Sequence, residues 1–387
     1  MGAWQGAQPG YLRNLNERAV YRAVREHPPI TGAGIARRTN LSKPTVSTVL
    51  RILTDAGLVV ESAKPFAGPG IYFEPVASAA LAVGVEVQRN AVRAVLTDLA
   101  GTELKSVVVD GSHSTAEAVF QGVETAVASL LQRRRHLLRS VVVGAPGIID
   151  PRTGLLRNSG VVPSLDGTKP AAALTERLGT EVSVVNDVDL AAQGEQAVGC
   201  GRGLRHFAVV HIGEGMGAAL VLNGQLYEGA HGGAGEIDDI PFRRLIRAQP
   251  SVSPALDGLV GLAGRLAAGH PGSVLRPPYT AEAVHLAAEA GDALALEVLD
   301  QLAEWTSWFV EALTAVVDPE AVVLAGTIGA RPELAEGVRA RLARHAPTVP
   351  DVLVSSLGDR SVLAGAIAVA GARAMALRLD ELQTRSA

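Results

Sequence analysis

Residues 206–239 read HFAVVHIGEGMGAALVLNGQLYEGAHGGAGEIDD and concentrate the groups best placed to do chemistry. An apolar run, Phe207 to Ile212, enters the turn Gly213-Glu214-Gly215-Met216-Gly217, and a second run, Ala218 to Leu222, leaves it. Glu236, Asp238 and Asp239 close the segment. Glycines at alternate positions let the backbone adopt positive φ and approach a ligand closely, and successive N–H groups in such a turn can form an anion nest. The chemistry on offer is anion binding beside a carboxylate cluster. A tight hairpin without a ligand has the same glycine spacing, so this stretch does not decide between them by itself.

Other chemistries are excluded by composition. Cys200 is the single cysteine, which rules out a disulfide framework and any zinc site built on several thiolates, and the simplest compartment is cytoplasmic. His231 and His270 could ligate a metal together with nearby acids, but isolated histidines are more often surface or hydrogen-bonded residues, so no metal and no cofactor is expected. The 387 residues, 48% hydrophobic and 19% charged, describe a soluble globular chain of two or three domains. No uncharged apolar run reaches membrane-spanning length and the first residues carry no apolar signal core, so no membrane partner is expected.

The net charge of −4 hides an asymmetry: residues 1–75 hold nine Lys or Arg against five acids, and the remainder is acidic. A basic head on an acidic body suggests nucleic-acid binding by the head and another task for the body. Within the head, residues 14–26 predict a helix ending at His27-Pro28-Pro29, and residues 32–39 a short second one. Ser42 caps a third, with Pro44 in its first turn and Val46, Val49, Leu50 and Leu53 at i, i+3, i+4, i+7. Its other face carries Lys43, Thr45, Ser47, Thr48 and Arg51. Residues 58–62 and 71–75 predict two strands around a Pro/Gly-rich loop that contains Lys64. Three helices followed by a hairpin describe a winged helix-turn-helix, whose third helix can enter a major groove: small hydroxyl residues let it lie close to base edges, and Lys and Arg reach phosphates or guanine. Ser42, Lys43, Thr45, Ser47, Thr48, Arg51 and Lys64 are the expected DNA contacts. The bland alternative is a helical subdomain whose polar face is merely solvated. The run LSKPTVSTVLRILTDAGLVVES resembles bacterial winged helix-turn-helix regulators along its length.

The body repeats one plan. Residues 81–109 read strand, turn, strand, turn, strand, and residues 206–230 do so again. The first copy is followed by a helix over 115–134, a buried strand over 140–143 running into Gly144-Ala145-Pro146-Gly147, a helix over 169–178 and a strand over 182–185. The second is followed by helices over 281–290 and 293–316, a strand over 321–325 and a helix over 361–376. A duplicated β-β-β-α-β-α arrangement implies two α/β lobes with a cleft between them. The expected boundaries are 1–75 for the head, 76–200 for the first lobe and 201–387 for the second, the last supplying effector-pocket and oligomerisation elements.

GAPGIID, VVNDVDLAA, GEGMGAALVLNGQLYEGA with the following GGAGEI, and VVDPEAVVLAG together resemble the ROK family of repressors, open reading frames and sugar kinases. The resemblance covers nearly the whole chain and implies a two-lobed, actin-like ATPase fold of ribonuclease H type; the winged helix-turn-helix is a feature of the family's repressors. In the family's kinases the Asp matching Asp187 takes a proton from the sugar hydroxyl, and the residues matching Asn186 and Glu236 hydrogen-bond sugar hydroxyls. A carboxylate at a strand end facing a cleft can accept a hydroxyl proton, and Asn offers both donor and acceptor. The plainer role for Asp187 is a helix N-cap ahead of Leu190-Ala191-Ala192.

Departures from the family pattern argue against a kinase. The first phosphate loop, resembling Asp-x-Gly-Gly-Thr in the family, is Glu86-Val87-Gln88-Arg89-Asn90 here, with neither glycine. In the second loop Glu214 replaces a Thr, and a carboxylate about 4 Å from a phosphate oxygen costs on the order of 4 kcal/mol at an effective dielectric near 20, roughly a thousandfold in affinity. Ala325-Gly326-Thr327 replaces a Gly-Gly-Gly run, Asp239 stands where zinc-binding members place a His, and 240–274 lacks the family's cysteines. Pro163-Ser164-Leu165-Asp166-Gly167 stands where the family often carries a sugar-reading Asn, which makes Ser164 the candidate there. The wing run Ala67-Gly68-Pro69-Gly70 lacks an arginine common in related repressors, removing a minor-groove contact.

These readings combine into a DNA-binding transcriptional repressor with no catalytic residues, whose degenerate kinase body binds an effector through Asn186, Asp187, Glu236, Asp239 and Ser164. The expected partners are an operator duplex, a sugar or amino-sugar effector and a second copy of the chain, as a homodimer or dimer of dimers. The alternatives are an ATP-dependent sugar kinase that also binds DNA, and a regulator that needs no small ligand.

Overall fold

A computed structural model describes residues 9–63, 70–213, 215–236, 254–345 and 348–384. Lys64, Glu214, Asp238, Asp239 and the wing tip from Ala67 to Pro69 lie outside the described residues.

The head comprises α1 (Pro9–Glu26), β1 (Ile30–Thr31), α2 (Gly32–Thr39), α3 (Lys43–Asp55), β2 (Val59–Glu61) and β3 (Tyr72–Pro75). Ser42 begins α3 as expected: its Oγ accepts from the Thr45 N–H at 3.2 Å, satisfying a donor that the first helical turn leaves open. Val46, Val49, Leu50 and Leu53 are buried against α1 and α2. The wing strand β3 pairs antiparallel with both β1 and β2, so the sheet order is β1-β3-β2.

The first lobe runs β4 (Leu81–Val87), β5 (Ala91–Asp98), β6 (Glu103–Asp110), α4 (Ala116–Leu131), β7 (Leu138–Ala145), the small hairpin β8 (Ile148–Ile149) and β9 (Leu156–Arg157), α5 (Pro170–Leu178), β10 (Val182–Asn186) and α6 (Asp187–Val198). The second runs β11 (Phe207–Ile212), β12 (Met216–Leu222), β13 (Gln225–Leu226), α7 (Pro254–Leu266), α8 (Ala281–Glu289), α9 (Ala293–Val317), β14 (Ala321–Ala325), α10 (Gly326–Gly329), α11 (Pro332–His345), β15 (Asp351–Val354) and α12 (Ser361–Thr384). Among the described residues the main sheets are ordered β10-β7-β4-β5-β6 and β15-β14-β11-β12-β13, the same topology twice. In each, the first strand pairs antiparallel with the second and parallel with the fourth. The duplication expected from the hairpin plan is therefore a duplication of the whole sheet.

The lobes are interleaved by their last helices. From the first lobe, α6 packs on β11 and β12, while α12, from the end of the chain, packs on β4, β7 and α6. The two helices cross with backbones touching: a β-carbon on Gly365 would collide with the Leu190 carbonyl, and one on Gly194 with the Ser361 carbonyl. Only glycine fits where helix axes come this close. At the far end of α6, buried Glu195 accepts a hydrogen bond from the Ser355 hydroxyl beyond β15 and another from the Cys200 N–H at 2.8 Å.

By length and composition the stretch Gly358–Leu382 is apolar enough to cross a membrane, which the search for an uncharged run missed because Arg360, Arg373 and Arg378 interrupt it. Inside the fold that apolar surface is used internally. Val362, Ala366, Ala370, Ala374, Met375, Leu379 and Leu382 are buried in one core that continues into Val20, Val24, Ile35, Val49, Leu53 and Leu58 of the head.

Candidate functional site

Two surfaces gather the candidate residues. On the head, α3 presents Lys43, Ser47, Thr48 and Arg51 as exposed side chains on one face, with Thr45 half-buried beside them. Ser42 is committed to the cap, and its hydroxyl also lies 2.8 Å from that of Thr45. Arg51 approaches Asp55 one turn on at 3.9 Å, with both side chains largely exposed, a weak tether that leaves the guanidinium available. Beside α3, a groove of ≈ 500 Å³ at the start of α2 is lined by His27, Thr31, Gly34, Arg37, Arg38 and Tyr72. Sequence reasoning counted Arg37 and Arg38 toward the basic head without assigning them contacts; the adjacent pair in the last turn of α2 was the available signal.

The head is tied to α12 by polar contacts as well as by the shared core. Arg18 meets Asp380 at 2.7 Å, and Arg378 Nη2 donates to the Ala56 carbonyl at 3.0 Å. Arg378 Nη1 also donates to Glu381, which in turn accepts from Arg139 at the start of β7.

The second surface is the cleft. Parallel pairing aligns Glu86, Gly144 and the end of β10 at the carboxyl edge of the first sheet, and His211 with Ala325 at the corresponding edge of the second. Carboxyl ends of parallel strands are where α/β folds place ligands. Asn186, not Asp187, is the N-cap of α6: its Oδ1 accepts from the N–H groups of Val188 at 2.8 Å and Asp189 at 3.0 Å, and its Nδ2 donates to Gly147 O at 3.1 Å. The cap role considered for Asp187 thus falls one residue earlier, which leaves Asn186 an amide N–H and releases most of the Asp187 carboxylate toward His211. Burial pushes the Asp187 carboxyl up and the His211 imidazole down, and each opposes the other's shift by favouring the ion pair.

One turn into α6, Asp189 is only 6% exposed. Burial first, then Glu228, Asp187 and Glu236, push its carboxyl up to about 8. Glu228 follows β13, and Glu236 ends a loop held against β12 by Gly235, whose φ of 87° places its backbone where a β-carbon would strike the Ala218 carbonyl. Asp189 and Glu228 were not singled out in the sequence, where VVNDVDLAA drew attention to Asn186 and Asp187 only.

The degenerate first loop is filled by side chains. Gln88 Nε2 donates to Glu86 Oε1 at 3.2 Å, and Arg93 lies between Glu86 at 3.5 Å and Asp359 of the second lobe at 3.2 Å. Burial raises the Glu86 carboxyl to about 7, against the pull of Arg93. Ser164 is brought to the first lobe's rim, and its hydroxyl donates to the His113 carbonyl at 2.8 Å, so its proton serves the fold and its oxygen retains only acceptor capacity. His231 is exposed, and its carbonyl accepts from Arg157 at 3.3 Å. His270 pairs with Glu297 at 3.1 Å.

Comparison with known proteins adds to this geometry. Residues 82–373 match the model of the ROK family, and residues 19–65 match that of the MarR family. The DNA-binding transcriptional dual regulator NagC of Escherichia coli (strain K12) is 24% identical over 337 residues, covering 82% of this chain and 81% of that protein. The bifunctional enzyme NanE/NanK of Brucella suis is 33% identical over 193 residues, 49% of this chain and 34% of the enzyme. Among solved structures, a ROK family transcriptional regulator homologous to the E. coli MLC protein superposes with a TM-score of 0.75 at 19% identity, over 96% of this chain and 99% of that one. A ROK family glucokinase from Streptomyces griseus superposes with a TM-score of 0.64 at 24% identity, over 75% and 99%. The regulator's likeness extends over the head; that of the glucokinase covers three quarters of the chain.

Proposed function

The chain belongs to the ROK family, and from that premise we propose that it is a DNA-binding transcriptional repressor whose kinase-like body senses a sugar or amino sugar instead of phosphorylating it. The observation that carries this reading is the exposed polar face of α3, with Lys43, Ser47, Thr48 and Arg51 presented by a winged head that shares one core with the body. Residues 1–75 form the DNA-binding unit and 76–200 and 201–387 the lobes. In this reading α3 enters the major groove of one half-site and a second copy of the chain reads the other, so that the operator has approximate two-fold symmetry. The protein works in the cytoplasm as a homodimer or dimer of dimers.

Support for an effector role over catalysis comes from the first loop. Where a glycine cradle would leave room for phosphate oxygens, Glu86, Gln88 and Arg93 fill the space with side chains bonded to one another and to Asp359. Arg93 joins the lobes through Glu86 and Asp359, so a ligand that alters lobe closure must bind the open and closed forms with different affinity. Movement at the α6/α12 crossing then reaches the head through α12. Asn186, Asp187 and Glu236 are the proposed effector contacts, with Ser164 at the rim as an acceptor and Asp239 beyond the described segment. A coupled assay for ADP formation across a panel of neutral and amino sugars tests the non-catalytic part: no turnover above background is expected, and turnover abolished by Asp187→Asn would overturn it.

A further inference from the structure

Asp189 is buried in the first turn of α6, and among the described residues its carboxylate accepts no hydrogen bond. The ionisable groups facing it are acids from every side: Asp187 on its own helix, Glu228 after β13, and Glu236 at the end of the glycine loop. His211, the nearby base, is turned to Asp187. A buried carboxyl without donors, set among other carboxyls, is costly unless a cation completes it. Its place near the amino end of a helix is favourable for an anion, which keeps the ionised form within reach.

We infer that Asp189, with Glu228 and Glu236, forms a seat for a primary ammonium group, so that the effector is an amino sugar with a free, unacetylated amine. This inference rests on the reading of the cleft as an effector site. An ammonium brings a positive charge and as many as three N–H donors that can be divided among several carboxylates, whereas a sugar hydroxyl brings one donor and no charge. Acetylating the amine removes the charge and leaves one N–H. A divalent cation would also suit carboxylates, but the described residues contain no group of acids, histidines or cysteines arranged to hold one. Because Asp189 holds its proton at neutral pH in the empty site, seating the ammonium displaces that proton to the buffer.

Titration calorimetry on the full chain tests this with glucosamine, mannosamine and galactosamine, the three parent hexoses, their N-acetyl derivatives and ethylamine, at pH 7.5 in two buffers of different ionisation enthalpy. A free-amine hexosamine should bind at least ~10-fold tighter than its parent hexose and its N-acetyl form, with proton release. D189N should bring the amine and hexose affinities together, and E228Q, on an exposed segment, should narrow the same gap where D189N does not fold. A hexose or N-acetyl sugar binding as tightly as the amine, or a preference that survives these substitutions, overturns the inference while leaving the effector reading in place. Ethylamine matching the hexosamine contradicts the amino-sugar assignment, and failure of every sugar and amine to bind overturns both.

Discussion

Arg378 on α12 donates through Nη2 to the carbonyl oxygen of Ala56, 3.0 Å away, at the C-cap of α3. The proposed recognition helix therefore ends on a side chain of the helix that also crosses α6 between the lobes. Through Glu381, the same guanidinium is linked to Arg139 at the start of β7, a strand whose far end lies at the cleft. Polar contact and shared core thus run from the ligand-facing edge of the first sheet to the end of the DNA-reading element.

Removing that link should loosen the coupling more than the fold. Arg378→Ala deletes a charge-assisted hydrogen bond and an ion pair at a mostly buried site, and is expected to lower stability by about 1–2 kcal/mol in denaturant unfolding. Operator affinity in the absence of effector should stay within a few-fold, while the change in that affinity on adding effector should shrink. An effector response equal to that of the unsubstituted chain would disprove the coupling route.

On the DNA face, Arg51→Ala and Thr48→Val should behave differently. Loss of a phosphate-reaching cation weakens binding to all sequences and reduces the salt slope by about one. Loss of a hydroxyl near base edges should cost about 1–3 kcal/mol at particular operator positions and leave the slope unchanged. Fluorescence anisotropy over a salt series, on the operator and on scrambled duplex, separates the two effects.

Glu195 is 0% exposed and receives donors from both sides, Ser355 and the Cys200 N–H. Glu195→Ala leaves those donors and a cavity behind, and should destabilise the chain by about 2–4 kcal/mol. Differential scanning calorimetry should record a clear fall in Tm. A variant with an unchanged Tm would mean that this junction between α6 and the end of β15 contributes little.

Stability should also fall as pH rises across the neutral range. Asp189 titrates near 8 and Glu86 near 7 in the folded chain, both above their ordinary values of 3.8 and 4.5. A raised carboxyl means that the folded state binds more protons than the unfolded one, so its contribution is present at low pH and is lost between the unfolded and folded values. Tm measured from pH 5 to 8.5 should decline, and Asp189→Asn should flatten the decline toward its upper end. A Tm that rises with pH for the parent chain and falls for the variant would contradict the assignment.

Much of this arrangement was legible in the residues. Ser42, Pro44 and the Val46/Val49/Leu50/Leu53 stripe specify α3 by local capping and periodicity, and the repeated hairpin plan specifies the duplicated sheets. The interleaving of α6 and α12 was not legible, because the fit of Gly194 against Ser361 and of Gly365 against Leu190 depends on partners more than 160 residues apart in the chain. For the same reason Asp189 passed unnoticed: its burial and its acidic neighbours Glu228 and Glu236 are properties of the folded cleft. Ser164 was identified from its place in the chain, yet the bond to His113 that occupies its proton comes from a separate segment. The helices α7 and α11 and the strand β15 were also missed, α7 and α11 being alanine- and glycine-bearing stretches with weak punctuation and β15 a short strand following them.

Selection of duplexes from a random pool by the full chain at physiological salt tests the central claim most directly. The account predicts enrichment of a site with two related half-sites, bound at least ~10³-fold tighter than random duplex, with enrichment lost when Ser47, Thr48 and Arg51 are all replaced by alanine. Recovery of no common sequence, with binding of every duplex equally weak, would contradict it.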